Sequence, residues 1–336
     1  MALSKKILRL LCLWSLFFFL GYGPDKDCAA DANSRSAQAL AHYTMGLIYD
    51  LNDSSEEAVE EFKKALEYDP SHYLIHFKLA SDYARLGSYP EATEELKTAI
   101  RLNPDDLQAH YLLALIYSTQ KKYDLASAEY EHILKSLAKS EPDNTEIFGY
   151  LGQLYYSQKK YEKAIEQFEK ILQLEPKNAE VLFLLGTLYL ETKEKLKAID
   201  FFAKSIEIDP EHGGSLNSLG YLYAEDAVRL DEALNLVKRA VAIDPNNGAY
   251  LDSLGWVYYQ KKMYIEALES LKKADSILKD AVIYDHLGDV YYELHEIDKA
   301  AKYWKLSLDL RPDQTAVVEK LKQLNKSMAV DSTLTR

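Results

Sequence analysis

The sequence predicts an all-α chain in which pairs of helices stack around one continuous core, and three observations predict it. First, the same order of apolar, small and aromatic residues returns along the chain, and Pro70 and Pro104 close two successive copies 34 residues apart. Second, each copy holds two amphipathic stretches with helical spacing. Third, only 13 of the 336 residues are glycine and 9 are proline, so few breaks interrupt these stretches. Because neither stretch can bury its apolar face alone, the copies are expected to stack.

The N-terminal segment is predicted to be a targeting sequence. Lys5, Lys6 and Arg9 precede an apolar run at 10–20. This order of a basic head and a short apolar stretch is typical of a secretory signal peptide. The run is shorter than the ~20 apolar residues that a membrane-spanning helix needs. The sequence therefore predicts that the chain is exported.

A cleavage site for that signal peptide is predicted at residues 30–32, which read Ala-Asp-Ala. We expect a signal peptide over 1–32 and a short leader over 33–38. Two alternatives stay open. Cys28 could carry a lipid, although acidic and basic residues precede it instead of the small ones that lipidation normally requires. The segment could also stay uncleaved as an anchor, which is the one membrane contact that the sequence predicts.

Eight repeats follow, over residues 39–314, and each carries a small residue at its eighth position, a tyrosine at its eleventh and an alanine in its second stretch. The repeats begin near residues 39, 73, 107, 145, 179, 213, 248 and 281. The small residues are Gly46, Ala80, Ala114, Gly152, Gly186, Gly220, Gly255 and Gly288. The tyrosines are Tyr49, Tyr83, Tyr117, Tyr155, Tyr189, Tyr223, Tyr258 and Tyr291. A small residue lets the two helices of a repeat approach closely, while the larger side chains fill the space between them.

At these positions the chain resembles the tetratricopeptide repeat family, whose signature is W-x2-L-G-x2-Y, then A-x3-F, then P. The signature tryptophan, at the fourth position, is replaced by His42, His76, His110, Phe148, Leu182, Leu216, Leu251 and Tyr284. The resemblance implies a right-handed superhelical solenoid of eight helix-turn-helix repeats. The repeats look similar to those of bacterial members of the family, so we predict a location in the bacterial periplasm or at the outer membrane. After the eighth repeat, residues 315–327 are predicted to form a capping helix and 328–336 a flexible tail.

Two insertions interrupt the regular spacing. The third repeat is 38 residues long, and its four extra residues lie in a charged, helix-favouring stretch before Pro142. Four residues are close to the 3.6 residues of one helical turn, so we predict a longer second helix. The sixth repeat gains one residue within 224–233, which is expected to enlarge the turn between its two helices.

Charge and motifs argue against several classes of function. The chain has 40 basic and 53 acidic residues, a net charge of -13, so it repels phosphate backbones and no nucleic-acid partner is predicted. Two cysteines are too few for a disulfide framework. Phosphate-binding, zinc-protease and serine-hydrolase motifs are absent from the sequence. The histidines at the fourth position occur one per repeat and are interpreted as packing residues. We predict no enzymatic activity, no cofactor and no metal.

The family resemblance implies that the first helix of each repeat lines a concave groove that binds a partner. The residues placed in this groove are Tyr43, Leu47, Phe77, Tyr111, Leu115, Tyr156, Phe183, Tyr221, Glu225, Asp252, Trp256, Tyr259, Asp285, Asp289 and Tyr292. They are apolar and aromatic in the first five repeats but aromatic and acidic in the last three. The aspartates Asp252, Asp285 and Asp289 are expected to form one negative patch. The predicted partner is a protein segment with apolar anchors and basic residues.

The predicted function is therefore a non-catalytic scaffold for protein partners in a cell envelope. Two alternatives stay open. One is an accessory or substrate-recruiting subunit of an enzyme complex, such as a glycosyltransferase, although the groove lacks the asparagine ladder found in family members of that kind. The other is a self-associating structural oligomer, because no helix precedes the first repeat to cover its edge.

Overall fold

The computed structural model describes the backbone of residues 26–334 and the side chains of 33–324 and 326. Within that range the chain forms helices and no strand, which confirms the predicted all-α class. The helices are α1 (Lys26–Leu51), α2 (Ser55–Tyr68), α3 (Tyr73–Arg85), α4 (Tyr89–Leu102), α5 (Leu107–Thr119), α6 (Tyr123–Ser140), α7 (Thr145–Ser157), α8 (Tyr161–Leu174), α9 (Ala179–Glu191), α10 (Lys195–Ile208), α11 (Gly213–Glu225), α12 (Leu230–Ile243), α13 (Gly248–Gln260), α14 (Tyr264–Ile277), α15 (Ala281–Glu293), α16 (Ile297–Leu310) and α17 (Thr315–Leu334). The odd-numbered helices α1 to α15 are the first helices of the eight repeats, and the even-numbered helices α2 to α16 are the second helices.

The chain divides into two compact parts, one up to Ser136 and one from Leu137 onward. The first holds repeats 1 and 2 and most of repeat 3, and the second holds repeats 4 to 8 and α17. No helix in the described range is both long enough and apolar enough to span a membrane.

The two ends of the described chain differ from the sequence prediction. The apolar run at 10–20, on which the predicted signal peptide depends, lies outside the described residues. The predicted leader at 33–38 is wrong as a separate segment, because α1 already begins at Lys26 and no glycine or proline interrupts 26–38. Likewise α17 continues to Leu334, past the predicted end at 327, because 328–334 contains no helix-breaking residue.

Within a repeat, the small residue at the eighth position sets how closely the two helices pack. A Cβ atom at Gly186 would lie 2.5 Å from a ring carbon of Phe202, and one at Gly46 would lie 2.6 Å from the ring of Phe62. Both distances are shorter than atoms can approach, so the ring of the second helix occupies the space that glycine leaves. The predicted close approach is confirmed.

Each turn between the two helices of a repeat contains a residue in the left-handed region, such as Lys121 with φ of 59°. The turn of repeat 6 contains two, Ala227 and Arg229, with φ of 52° and 49°. The second one accommodates the extra residue, as predicted for this repeat. The other insertion is also where the sequence predicts it, since α6 has 18 residues whereas the other second helices have 14.

Successive repeats pack through a fixed set of positions. In repeat 2 the third and seventh residues, Ile75 and Leu79, are buried in a cluster with Phe62 and Ala65 of the preceding second helix. In repeats 3 to 8 the third, seventh and tenth residues are also buried or half-buried. The same positions of α17 are occupied by Val317, Leu321 and Leu324, which cover α16 as the predicted cap.

Candidate protein-binding surface

First helices of neighbouring repeats lie side by side within each part of the chain. In the N-terminal part, Lys78 of α3 donates a hydrogen bond to Asp50 of α1 at 3.1 Å. In the C-terminal part, the Trp256 ring of α13 stacks on His286 of α15 at 4.2 Å between ring centroids. These first helices carry the residues that the sequence places in the groove.

The apolar candidates of the N-terminal part divide into packing residues and exposed residues. Tyr43, Leu47 and Phe77 are half-buried. The Tyr43 ring lies 5.9 Å from Phe62, and burial raises the pKa of its hydroxyl. In contrast, Tyr111 and Leu115 on α5 are each 39% exposed. Of the five residues that the sequence predicts for the groove in this part, only Tyr111 and Leu115 present an exposed apolar surface.

An ion-pair network, which sequence reasoning missed, lies beside these apolar residues. The Asp50 carboxylate accepts hydrogen bonds from Lys78 and Arg85 of the next first helix. Burial would raise the pKa of Asp50, but these bonds outweigh burial and lower it. Asp82 is fully buried, its pKa is raised chiefly by burial, and it accepts a hydrogen bond from Ser55 at 3.0 Å. Apolar periodicity does not detect acids such as Asp50 and Asp82, because their partners lie on other helices.

In the C-terminal part, two apolar candidates behave differently. Tyr156 on α7 is exposed, and its ring lies 5.9 Å from Tyr161. Phe183 on α9 is half-buried, 5.8 Å from Phe202 and 5.1 Å from His212. Tyr156 is therefore available to a partner, whereas Phe183 chiefly packs the repeat.

The aromatic candidates of repeats 6 and 7 form a half-buried group. The Trp256 ring stacks on Tyr259 at 4.9 Å between ring centroids and also on His286. Burial, with nearby negative charges, raises the pKa of Tyr221 to about 12 and also raises that of Tyr259. Both tyrosines are therefore neutral at physiological pH and act as hydrogen-bond donors and apolar contacts.

The three aspartates do not form an open negative patch, and that prediction is wrong. Asp252 is buried and bonds to His286 Nδ1 at 2.9 Å. Lys320 of α17 donates to Asp285 and to Asp289 at 2.7 Å each. Burial of these charges requires paired partners, and the partners come from α15 for Asp252 and from α17 for Asp285 and Asp289. The aspartates thus hold the helices together.

The remaining candidates lie at the edge of this group. Glu225 is exposed and forms an ion pair of 2.8 Å with Lys195. Tyr292 is exposed, with its ring 5.7 Å from Trp304. Tyr292 is the exposed aromatic residue on the first helix of repeat 8, and it occupies the same repeat position as Tyr156 in repeat 4.

The histidines of the first three repeats pair with glutamates of their own second helices, and each pair is 19 residues apart in the chain. The Nδ1–Oε2 distances are 2.7 Å in His42–Glu61, 2.6 Å in His76–Glu95 and 2.6 Å in His110–Glu129.

The ring of His76 contacts two acceptors, because its Nε2 also lies 3.0 Å from the carbonyl oxygen of Pro70. Two acceptors require two ring N–H groups. Burial lowers the pKa of His76, but Glu95 and the Pro70 carbonyl outweigh it and raise the pKa. The described residues contain no group of three or more metal-ligating side chains.

Two family models match the chain. One, described as TPR repeat, matches residues 80–121 and 152–193, and the other, described as tetratricopeptide repeat, matches 39–72, 107–136 and 179–212. These matches fall in the first five repeats. Repeats 6 to 8 contain the same helix pair and the same close contact at the eighth position, where a Cβ atom at Gly220 or Gly255 would lie 2.5 Å from a side chain of the second helix.

Solved structures with the same architecture come from several biological settings. A tetratricopeptide repeat protein from Parabacteroides merdae ATCC 43184 is 20% identical, with a TM-score of 0.51 over 75% of this chain and 98% of its own. PilW, a widely conserved type IV pilus biogenesis factor, is 19% identical, with a TM-score of 0.50 over 65% of this chain and 99% of its own. The APC/C hetero-tetramer Cut9-Hcn1 contains a chain that is 17% identical, with a TM-score of 0.54 over 80% of this chain and 52% of its own. No curated protein matches the chain.

Proposed function

Since the chain is a tetratricopeptide repeat protein, we propose that it is a non-catalytic scaffold that binds a segment of a partner protein along the first helices of its repeats. The observation that carries this proposal is that those helices expose aromatic and aliphatic side chains, at Tyr111 and Leu115 in the N-terminal part and at Tyr156 and Tyr292 in the C-terminal part. Exposed aromatic side chains are enriched at protein interfaces. The partner segment therefore carries apolar anchors.

The charge of the partner segment follows from the acids that remain exposed. Asp252, Asp285 and Asp289 are already paired, so they contribute little to recognition. Glu225 and Glu293 are exposed beside the aromatic group of repeats 6 to 8, and the ion pair of Glu225 with Lys195 lies at the surface, where solvent weakens it. Basic residues of the partner are therefore placed next to these two glutamates, where they increase the rate of encounter more than the affinity.

We place this scaffold in a bacterial cell envelope. The support is the basic head at Lys5, Lys6 and Arg9 followed by the apolar run at 10–20. N-terminal sequencing of protein purified from cells that express the full chain tests this location. Recovery of intact Met1 from the cytosol would contradict it.

Photo-crosslinking tests the proposed surface. A photoreactive phenylalanine analogue replaces Tyr111 or Tyr156 in cells, and Tyr123 is the matched control because it is an exposed tyrosine on a second helix. Adducts with one protein are expected from the first two positions and not from Tyr123. Equal labelling at all three positions, or labelling at Tyr123 alone, would reject the first helices as the binding surface.

A further inference from the structure

The junction between repeats 1 and 2 buries a carboxylate at a position where the later repeats carry an aliphatic side chain. The tenth residue of repeat 2 is Asp82, which is fully buried. It bonds to Ser55 of α2, so it faces the preceding repeat. The tenth residues of repeats 3 to 8 are Ile116, Leu154, Leu188, Leu222, Val257 and Val290. Repeat 2 therefore docks on repeat 1 with an ionisable group in its apolar contact.

The Asp82 carboxylate is only partly satisfied in this position. Its Oδ1 accepts the hydrogen bond from Ser55 at 3.0 Å and lies 3.4 Å from Arg85 Nη1. Its Oδ2 is buried and has no hydrogen-bond partner within the described part of the chain. A buried carboxylate without full pairing is costly when it is ionised, and much less so when it is protonated.

The cations near Asp82 are shared with a second carboxylate. Lys78 and Arg85 of α3 both donate hydrogen bonds to Asp50 of α1. The charges that act on Asp82 are the negative charge of Asp50 and the positive charges of Arg85 and Lys78, while α2 contributes the Ser55 hydroxyl. Asp53, in the turn after α1, adds a further negative charge near Arg85. Because both cations are already bound to Asp50, they offset only part of the cost of ionising Asp82.

We propose that Asp82 makes the junction between repeats 1 and 2 a pH-dependent joint. The two repeats stay docked while the Asp82 carboxyl is protonated, and repeat 1 separates more readily once this carboxyl is ionised. Separation uncovers Ile75 and Leu79 of α3, which are buried in the docked state. The proposal concerns α1 to α3 and does not depend on partner binding by the first helices of repeats 3, 4 and 8.

The direction of the pH effect follows from the two carboxylates. Burial and the charge of Asp50 raise the pKa of Asp82 in the docked state. Its contribution to docking is therefore fully present below the ordinary aspartate pKa of about 3.9 and is lost as pH rises through the docked-state pKa. Burial would also raise the pKa of Asp50, but the bonds from Arg85 and Lys78 outweigh burial and lower it. The contribution of Asp50 is thus fully present above about pH 3.9 and is lost only as pH falls further, so Asp82 alone of this pair titrates above about pH 4.

Hydrogen exchange of the α1 and α2 amides tests the joint, with protein purified from cells that express the full chain. Asp82→Asn keeps the size of the side chain and removes its charge. At pH 7.5 this variant is expected to protect these amides at least threefold more than the wild type does, and at pH 4.5 the ratio of the two protection factors is expected to fall toward one. Asp200→Asn is the matched control, because Asp200 is an exposed aspartate that also pairs with a basic residue of its own helix. It is expected to leave the ratio at one at both pH values.

A second variant replaces the carboxylate by the side chain that other repeats use. Asp82→Leu introduces the residue found at the tenth position of repeats 5 and 6, and it is expected to raise the protection at pH 7.5 at least as much as Asp82→Asn does. Lower protection in Asp82→Asn than in the wild type would show that the ionised carboxylate holds the junction through Ser55 and Arg85, which would overturn the proposal. Unchanged protection, or a ratio that is the same at both pH values, would also overturn it.

Discussion

Repeats 2 and 3 and the last two repeats bury histidines against carboxylates, but these pairs connect different helices. His76 bonds to Glu95, and the pair joins the two helices of one repeat. His286 bonds to Asp252, and that pair joins two repeats. The second pair is also drier, since side-chain exposure is 6% and 11% against 11% and 27% for the first.

This difference shows that the same residue type has two structural roles in one repeat architecture. At the position of His76, repeats 4 and 5 carry Phe148 and Leu182, so a pair inside a repeat can be exchanged for apolar packing. His286 has a carboxylate from the preceding repeat, and Lys320 gives Asp285 the same arrangement one step further along the stack. Pairs between repeats therefore add to the apolar packing that holds the C-terminal repeats together.

The largest effect is expected from His286→Leu, which leaves the Asp252 carboxylate buried without its partner. Loss of one member of a buried pair costs about 3 kcal/mol of unfolding free energy. Urea denaturation followed by tryptophan fluorescence measures it, because Trp256 stacks on His286 and Trp304 lies nearby. The double variant with Asp252→Asn is expected to recover most of the loss. A cost below about 1 kcal/mol for the single variant would remove the distinction between the two regions.

A smaller loss is expected from Lys320→Met, which leaves Asp285 and Asp289 facing each other without a cation. We expect about 1 to 2 kcal/mol, since the charge-assisted hydrogen bonds are lost while part of the site reaches solvent. Hydrogen exchange of the α17 amides reports the loosened cap. Lys322→Met, at an exposed position of the same helix, serves as the control and is expected to stay within about 0.5 kcal/mol. Equal exchange in both variants would show that the pair does not hold α17.

His76→Leu is expected to cost less than about 1 kcal/mol, because Glu95 can turn to solvent and leucine is the residue that repeat 5 uses at this position. Urea denaturation followed by far-ultraviolet circular dichroism checks this value. A loss as large as that of His286→Leu would mean that both kinds of pair stabilise the chain equally.

The smallest effect is expected from pH. Burial lowers the pKa of both histidines, but Glu95 outweighs burial at His76 and Asp252 outweighs it at His286, so both pKa values are raised. Because the folded-state pKa of each histidine is raised, its charged form contributes free energy to folding. This contribution is fully present below about pH 6.5 and is lost as pH rises through the folded-state pKa. We expect a lower melting temperature at pH 8.5 than at pH 6, and His286→Leu should flatten this dependence more than His76→Leu does. Parallel curves for all three proteins would contradict the assignment.

The fold was predictable because a repeated pattern supplies the same information eight times. Gly186 and Tyr189, for example, mark the helix contact without help from the rest of the chain. The ends were less predictable, since α1 begins ahead of the repeat pattern, α17 has no second helix of its own, and only the absence of helix breakers indicates where each one ends. Local periodicity does not state where a helix stops when no breaker is present.

Three of the nine aromatic candidates are exposed, whereas the other six are half-buried, and the predicted charge of the surface was wrong. Tyr111 and Tyr156 are exposed as expected, because their positions follow from the helix face alone. The prediction for the aspartates was wrong because the partner of each one lies one repeat further along the chain. Asp252 pairs with His286, and Asp285 pairs with Lys320. A comparison of the fifth position of one repeat with the sixth position of the next would have revealed both pairs.

The close contact at the eighth position has a consequence for how such chains can be rearranged. Gly46 faces Phe62, Gly152 faces Phe168 and Gly186 faces Phe202, so each small residue and its bulky complement travel within one repeat. Duplication or exchange of a whole repeat by recombination preserves this fit, whereas a crossover between the two helices separates it. Because the fit lies within one repeat, we expect evolution to insert or remove whole repeats. Recombination is expected to be tolerated in the segments between repeats.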